Sequence, residues 1–193
     1  MDGPPTAFGS PYRLLSTAVT PRPIGWISTR STDGIDNLAP YSFFNVVAVD
    51  PPVVMFAPVG SDKLKDTPRN VKQTEEFAVN VVTERVVEAM NETSATLSAG
   101  ESEFDRTGLD RGESVRIDAP HVADAAVVFE CTLYEWLEVG SSVLILGEVV
   151  HAHVDDDQLT DGKIDIDKLD TIGRLAGSLY TKTGDRFAIE RPP

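Results

Sequence analysis

The sequence predicts a mainly β protein, an antiparallel barrel that carries a few short helices. Short apolar runs bounded by Gly, Pro and Asp-Gly turns recur through the first half of the chain. Two longer runs, 126–139 and 143–154, alternate apolar and polar residues, as a strand with one wet face does. A regular alternation of strands with helices of about 10–15 residues is absent, which disfavours a doubly wound α/β fold.

The composition predicts a single globular domain spanning residues 1–193. A chain of 193 residues with 41% apolar residues can bury one full core. One cysteine, Cys131, excludes an internal disulfide and fits a reducing compartment. No apolar run reaches the ~18–20 residues that cross a bilayer. The segment Met1–Pro5 lacks the basic and apolar regions of an export signal, so we expect a cytoplasmic protein.

The formal net charge of -14 predicts an acidic surface. Such a surface repels nucleic acid phosphates and anionic lipids, so we expect neither nucleic acid nor membrane partners. Most of the cationic residues are arginines. An acidic excess with few lysines is typical of a halophilic protein that stays hydrated at high salt, and an ordinary acidic bacterial protein is the alternative.

The first half is predicted to alternate strands with short connections. Residues 1–20, which are rich in proline, are expected to form an N-terminal arm on the domain. Asp66 or Thr67 is a natural N-cap, and Pro68 suits the first turn of a helix that ends near Thr74. Thr83 is expected to cap a second helix through Met90. The predicted strands are Ile24–Thr29, Asn37–Val49, Val53–Ala57 and Phe77–Val82.

The second half is predicted to hold two long strands. They occupy the alternating runs 126–139 and 143–154, with a bulge at Gly147. The segment 98–124 is a long polar connection, and connections of this length are more often functional than idle, so it is a possible lid. Ile166–Ile172 is predicted to form a short helical segment.

The segment 61–70 is a candidate anion site. A helix N-terminus offers unpaired N–H groups and the positive end of the helix dipole. Lys63 and Lys65 would add positive charge, and Thr67 would add a hydroxyl donor. The alternative is a capped surface helix with solvated lysines. On the residues of this segment alone, that alternative is favoured over an anion site.

Other polar residues of the sequence could also take part in binding or catalysis. Ser42–Asn45 and Trp26–Thr29 place hydroxyl and amide groups beside aromatic side chains, as an isoalloxazine ring requires. Core packing is the alternative, and it should apply to at least one of two adjacent phenylalanines. His151 and His153 share one strand face, but two ligands are too few, so we expect no metal site. P-loop and Rossmann motifs and a hydrolytic triad are absent.

Several segments carry a family resemblance in chain order. They read PRPIGWIST, NLAPYSFFN, DPPVVMF, KDTPRN and EEFAVNVV, followed by Leu146–Val149 and Gly173–Tyr180. Over residues 12–193 the chain resembles the flavin reductase-like group of FMN-binding split-barrel proteins. The resemblance implies a six-stranded antiparallel split barrel of Greek-key type, which pairs as a homodimer and binds FMN at the subunit interface.

The resemblance also implies the binding residues. Segments Trp26–Thr29 and Ser42–Asn45 would follow the isoalloxazine and ribityl chain, a second group would hold the phosphate, and a tyrosine would close over the ring. One departure is Ala176, which stands where the family often has a second glycine. The implied cofactor-binding residues are Trp26, Ile27, Ser28, Thr29, Ser42, Phe43, Phe44, Asn45, Ser61, Lys65, Thr67 and Tyr180.

The implied activity is that of an NAD(P)H:flavin oxidoreductase. Hydride passes from the nicotinamide to flavin N5, which needs few protein acids and explains why no triad is visible. Reduced flavin would serve a monooxygenase or another electron acceptor. The 98–124 lid, with Phe104 and Arg106, would cover the nicotinamide pocket. The alternatives are a non-catalytic FMN-binding electron carrier and a split-barrel oxidase acting on another substrate.

Overall fold

The structure, a computed structural model, describes residues 2–59, 65–98 and 100–192. In chain order its strands are β1 (Gly25–Arg30), β2 (Asp36–Tyr41), β3 (Phe44–Val49), β4 (Pro52–Phe56), β5 (Glu76–Val81), β6 (Arg111–Gly112), β7 (His121–Val122), β8 (Val127–Val139), β9 (Ser142–Val154), β10 (Leu159–Thr160), β11 (Lys163–Ile164), β12 (Ile172–Arg174) and β13 (Tyr180–Lys182). Its α-helices are α1 (Pro11–Ala18), α2 (Asp66–Thr74), α3 (Val87–Glu92) and α4 (Glu103–Thr107), and two 3-10 helices span Pro5–Phe8 and Asp156–Gln158.

The main sheet has seven antiparallel strands in the order β2-β1-β5-β8-β9-β4-β3. Its two edge strands, β2 and β3, are consecutive in sequence and are joined by Ser42 and Phe43 alone. Two linking residues bridge only about 10 Å, so the edges meet at this corner and the sheet curls. Phe56 of β4 and Phe77 of β5 confirm the curl, because their ring centroids lie 5.3 Å apart although β8 and β9 separate their strands.

The prediction of a mainly β, antiparallel fold with a few short helices is confirmed. The count of six strands is not, since the main sheet has seven. The strand pairs within the described ranges do not include a β2–β3 ladder that would close the barrel. The single strand predicted over residues 37–49 is wrong. The chain turns at Ser42 and Phe43, and β3 pairs with β4 instead of continuing β2.

Two cores lie on opposite faces of the sheet. Adjacent residues of β1 show the division, because Ile27 packs into the interior core while Trp26 packs into the outer one. Cys131 lies fully buried in the interior core, and burial raises the pKa of its thiol. The outer core is covered by α3 and α4, and the Phe104 side chain of α4 is fully buried there.

Of the three predicted helical segments, one forms close to its predicted position, one begins later than predicted, and one does not form. Helix α2 ends at Thr74 as predicted but begins at Asp66, two residues before Pro68, and its N-cap is Lys65, which makes no side-chain capping bond. Helix α3 begins only at Val87, because Thr83 forms a β-bridge with Thr171. The helical segment predicted over 166–172 is wrong, since the chain enters strand β12 at Ile172. The arm over 1–20 contains helix α1.

Within the 98–124 segment, residues 100–124 form a folded layer rather than an open loop. Arg111 Nε donates to Asp36 Oδ2 at 2.7 Å, and Arg111 also pairs with Asp105 at 2.8 Å. Glu103 accepts a hydrogen bond from the Leu38 backbone N–H at 2.9 Å. The predicted lid role stays a prediction. Phe104 would contribute to it only through packing, because its side chain has no exposed surface.

Within the described ranges, none of the helices has the length and apolar character needed to cross a bilayer.

Candidate functional site

Two cavities adjoin along strand β2 and share Pro40 and Ser94 in their linings. The first has a volume of about 280 Å³ and contains Tyr180, so we name it the Tyr180 cavity. The second has a volume of about 370 Å³ and contains Lys65, so we name it the Lys65 cavity. Together they lie within the range of roughly 300–1,000 Å³ typical of small-molecule sites.

The Lys65 cavity suits an anion. It opens at the N-terminus of α2, where backbone N–H groups and the helix dipole favour negative charge, and the Lys65 side chain adds a cation. Ser94 and Thr96 line the wall with hydroxyl groups. Thr67 is held by its neighbours, since its Oγ1 accepts from Asn37 Nδ2 at 2.7 Å.

Tyr41 joins Asn37 and Thr67 in one hydrogen-bonded wall of the Lys65 cavity. Burial raises the pKa of Tyr41 to about 12, although its hydrogen bond to Thr67 acts in the opposite direction. The phenol therefore keeps its proton at neutral pH. The wall made by Asn37, Thr67 and Tyr41 is neutral, which leaves the charges of the cavity to Lys65, Asp66 and Glu103.

Glu103 is a buried carboxyl in the lining of the Lys65 cavity. Burial raises the pKa of Glu103 above its ordinary value, the hydrogen bond from the Leu38 N–H opposes the shift, and the charge of Asp66 adds to it. A raised carboxyl pKa means that this group stabilises the fold in its protonated form. That stabilisation is complete below the unfolded-state pKa of about 4.3 and is lost as the pH rises through the folded-state pKa.

We expect Glu103→Gln to match the wild type in stability near pH 4 and to exceed it at pH 8. Glutamine keeps an oxygen for the Leu38 N–H and cannot ionise. The measurement is urea unfolding of both proteins between pH 4 and 8. Glu101→Gln, which changes an exposed carboxyl two residues away, is the control and should show no such divergence. A stability difference that does not change with pH would contradict the prediction.

The Tyr180 cavity combines apolar walls with a polar edge. Tyr12, Ile24, Met90 and Leu175 supply apolar surface. The polar edge includes Ser42, Asn91, Arg22 and Arg174. The Tyr180 hydroxyl donates to Asn91 Oδ1 at 3.0 Å, and the Arg174 guanidinium lies 4.4 Å from the Tyr180 ring centroid. Apolar faces with cationic and amide groups at one edge suit a flat heteroaromatic ring.

Arg22 fixes the shape of the Tyr180 cavity. Its guanidinium donates to the carbonyl oxygens of Ser16, Val19 at 2.8 Å and Leu175 at 3.0 Å, which ties α1 to the segment after β12. Its backbone pairs with Arg174 in both directions, at 3.0 and 2.8 Å. Arg22 Nε is buried, and the described part of the chain provides no acceptor for it.

Four of the twelve predicted binding residues line these cavities. Ser42 and Tyr180 line the Tyr180 cavity, and Lys65 and Thr67 line the Lys65 cavity. Ser61 lies outside the described residues.

The four predicted binding residues of β1 line neither cavity. The side chains of Trp26, Ile27, Ser28 and Thr29 have no exposed surface. Their polar atoms have internal partners. Trp26 Nε1 donates to Thr93 at 2.9 Å, Ser28 accepts from an asparagine of β5 at 3.2 Å, and Thr29 accepts from one of α2 at 3.0 Å. Their contact with a flavin stays a prediction. In the structure they belong to β1, which pairs with β2, the strand along which the cavities lie.

The remaining predicted residues lie beside the site. Phe43 packs near Tyr12 and Arg22, with the guanidinium carbon 5.9 Å from its ring centroid. Phe44 faces the other way and packs on Gly25, where an added Cβ would come within 2.7 Å of its ring. The two phenylalanines thus face opposite sides, and Phe44 packs against the interior core, as predicted for at least one of them. Asn45 Oδ1 accepts from the next backbone N–H, and Asn45 lines neither cavity.

Several residues of the site were missed from the sequence. Arg174 sits inside the segment that was singled out for Tyr180, and its charge was a signal that could have been used. Thr93–Thr96 is a hydroxyl-rich run directly after a helix, which is a second overlooked signal. Arg22, Asn91 and Glu103 reach the site only through the tertiary fold and carry no local signal.

Comparison with known proteins gives one family. The flavin reductase like domain matches residues 17–170, which is most of the chain.

Solved structures of similar proteins cover nearly the same extent. Nitrilotriacetate monooxygenase component B from Bacillus cereus is 34% identical, covers 98% of each chain and has a TM-score of 0.93. The 2-nitrobenzoate 2-nitroreductase of Pseudomonas fluorescens is 32% identical, covers 94% of this chain and 90% of that one, and has a TM-score of 0.87. A split barrel domain protein from Shewanella frigidimarina is 26% identical over 92% of this chain and 89% of that one, with a TM-score of 0.81.

Proposed function

This chain belongs to the flavin reductase-like family and has its split-barrel fold, and we propose that it is an FMN-containing NAD(P)H:flavin oxidoreductase. The observation that carries the proposal is the pair of adjoining cavities, one suited to an anion and the other to a flat ring. FMN has this shape, with a phosphate at one end and an isoalloxazine at the other.

We assign the phosphate to the Lys65 cavity. The ammonium of Lys65 and the first N–H groups of α2 provide the positive charge and donors that a phosphate dianion requires. Ser94 and Thr96 would add hydroxyl donors from the opposite wall. Asp66 and Glu103 are the acidic lining groups that oppose an anion. Asp66 is paired with Arg69, and the raised pKa of Glu103 reduces its opposition at mildly acidic pH.

We assign the ring to the Tyr180 cavity. Arg174 and Arg22 would hold positive charge and N–H donors beside the carbonyl edge of the ring, where negative charge develops on reduction. Tyr180, fixed by Asn91 and Arg174, would limit access of water to one face. When bound, FMN supplies the redox chemistry, accepting hydride from NADH or NADPH at N5. The residues of this chain then need only to bind the flavin, orient it and shield it from water.

We further propose that the protein is a homodimer. Strand β3 is an edge strand of the main sheet, and Val46, Val47 and Val49 on it are 63%, 51% and 85% exposed. Exposed apolar residues on a strand edge favour association. Light scattering on the purified protein measures the mass directly, and a mass of one chain would contradict this part of the proposal.

The electron acceptor is proposed by similarity. One similar structure is a monooxygenase component and another is a nitroreductase, so a monooxygenase partner supplied with reduced flavin is our first candidate. The cytoplasmic location stays a prediction from composition.

The test is anaerobic reduction of the FMN-loaded protein. We expect the purified chain to bind FMN and the flavin absorbance to bleach on addition of NADH or NADPH. The nucleotide that bleaches faster identifies the donor. Dithionite serves as the control, since it reduces any bound flavin.

Two outcomes would contradict the proposal. A flavin that bleaches with dithionite and with neither nucleotide would make the protein a non-catalytic FMN-binding electron carrier. A chain that does not bind FMN would contradict the cofactor assignment itself.

A further inference from the structure

The three histidines of the chain all lie in one cluster. The ring centroid of His153 is 4.7 Å from that of His121 and 4.8 Å from that of His151. His121 comes from β7, whereas the other two come from β9. We name these three residues, together with Glu130 of β8, the histidine cluster.

Strand register explains why the cluster forms. Glu130 and His151 are direct cross-strand partners in the β8–β9 pair, so their side chains share one face. His153 is two residues further along β9 and therefore lies on the same face. The short β6–β7 pair brings Gly112 opposite His121. An added Cβ on Gly112 would come within 2.1 Å of His121 Nε2, so glycine makes room for this ring.

Glu130 is an oriented carboxylate inside the protein. Its side chain has no exposed surface. Oε1 accepts from the Val115 N–H at 2.7 Å, and Oε2 accepts from the Arg116 N–H at 2.6 Å. Backbone donors that fix a carboxylate in this way are the outer-shell contacts that orient metal ligands. His153 Nε2 lies 2.5 Å from Oε1.

We propose that Glu130, His151 and His153 bind one divalent transition metal ion of the zinc type. One ligand atom from each residue lies within 4.8 Å of those of the other two. Two imidazoles and one carboxylate form a recognised ligand set for such ions, with a remaining position for water or a further ligand. His121 is the nearest additional nitrogen donor, and its buried Nδ1 has no partner among the described residues.

The geometry requires modest movements. Bonds of about 2.0–2.2 Å place neighbouring ligand atoms of a tetrahedral ion roughly 3.3 Å apart. His153 Nε2 and Glu130 Oε1, which lie 2.5 Å apart, must therefore separate by under ~1 Å, and ligand atoms that lie up to 4.8 Å apart must approach by about 1.5 Å. The His153 side chain is 28% exposed, which provides a path for the ion from solvent. Asp155–Asp157 continue the chain just beyond β9 and would attract cations towards this end of the sheet.

The site is separate from the flavin proposal. Neither the Tyr180 cavity nor the Lys65 cavity includes a residue of the histidine cluster. A metal there would join the 111–122 segment, through Glu130, to both long strands. We therefore expect it to stabilise the fold without taking part in reduction of the flavin.

The test uses full-length protein without a polyhistidine tag, freed of metal with a chelator. We expect titration with Zn²⁺ alone to show one ion per chain and to raise the melting temperature. Loss of an outer-shell partner typically weakens metal binding by about 10–100-fold, so loss of the ligand His151 in His151→Ala should weaken it by at least about 100-fold. The His151 side chain is only partly buried, so this variant should fold.

Two further variants make the result decisive. His151→Gln keeps the side-chain volume and should lose Zn²⁺ binding as well. Glu138→Gln changes an exposed carboxylate on β8, the strand of Glu130, outside the cluster, and should bind Zn²⁺ like the wild type. Absence of saturable binding by the wild type would overturn the proposal. So would binding that survives both His151 variants or is lost in Asp156→Asn, which would place the ion in the acidic loop.

Discussion

Gly147→Ala is expected to lower the free energy of unfolding by about 3 kcal/mol, at the upper end of the usual cost of overpacking a core. Gly147 lies in β9 between β4 and β8, where no backbone strain restricts it. An added Cβ would lie 2.2 Å from Phe77 Cζ and 3.0 Å from Cys131 Cβ. Both neighbours are fully buried, so neither can move towards solvent. Urea unfolding of the variant measures the loss.

Gly184→Ala is the matched control. It makes the same chemical change at a glycine whose added Cβ would meet no atom within 4 Å. Its effect should stay within about 0.5 kcal/mol, as for most surface substitutions. An equal loss in both variants would mean that the cost arises from something other than the contact with Phe77.

Phe77→Leu tests that contact directly. Leucine removes the ring atoms that an alanine side chain at 147 would meet, so the double variant should lose less stability than the two single variants combined. A coupling of at least about 1 kcal/mol is expected for residues in direct contact. Strictly additive losses would contradict the packing explanation.

Gly147 also shows what local sequence could and could not predict. A glycine inside an alternating strand correctly marked a special position, and a register irregularity does lie beside it, between Leu133 and Glu135 of β8. The stronger reason is the Phe77 ring, which comes from another strand. Sequence alone cannot place a ring 70 residues away against a particular glycine, because strand order is a property of the whole sheet.

The helices and strands show the same difference between what local sequence predicts and what the tertiary fold decides. Strands β1, β4, β5, β8 and β9 were predictable because each is a short apolar or alternating run bounded by turn residues. The break at Ser42 was not, since the segment 37–49 contains no glycine or Asp-Gly turn signal and the curl of the sheet divides it. Thr83 has the chemistry of an N-cap, but a bridge to Thr171 takes the chain into the sheet instead.

Some residues of the candidate site could likewise be predicted from local sequence, whereas others are brought there only by the fold. Lys65 and Thr67 could be predicted to lie together because both are at the start of α2, which is a local feature of the sequence, and both line the Lys65 cavity. Arg22 was not, because it reaches Leu175 across the fold. The histidine cluster is the clearest example. Two histidines at alternate positions were visible in the sequence, but the third ligand, Glu130, is a cross-strand partner that only the register of β8 and β9 reveals.

Lys65→Ala is expected to weaken FMN binding by about 10–100-fold while leaving riboflavin binding unchanged. A charge-assisted hydrogen bond contributes roughly 1.5–3 kcal/mol, which corresponds to this range of affinity. Riboflavin carries the same ring and ribityl chain without the phosphate. A contact made only to the phosphate therefore affects one ligand and not the other. Fluorescence titration of both flavins measures the two dissociation constants.

Lys72→Ala is the matched control, because it removes the same charge from the same helix. Lys72 lies in the last turn of α2, with its ammonium 5.1 Å from the Trp136 ring centroid, and it lines neither cavity. If this variant weakens FMN binding as much as Lys65→Ala, the effect is long-range electrostatics on a protein of net charge -14 rather than a phosphate contact. If Lys65→Ala weakens riboflavin equally, Lys65 shapes the cavity and the phosphate binds elsewhere.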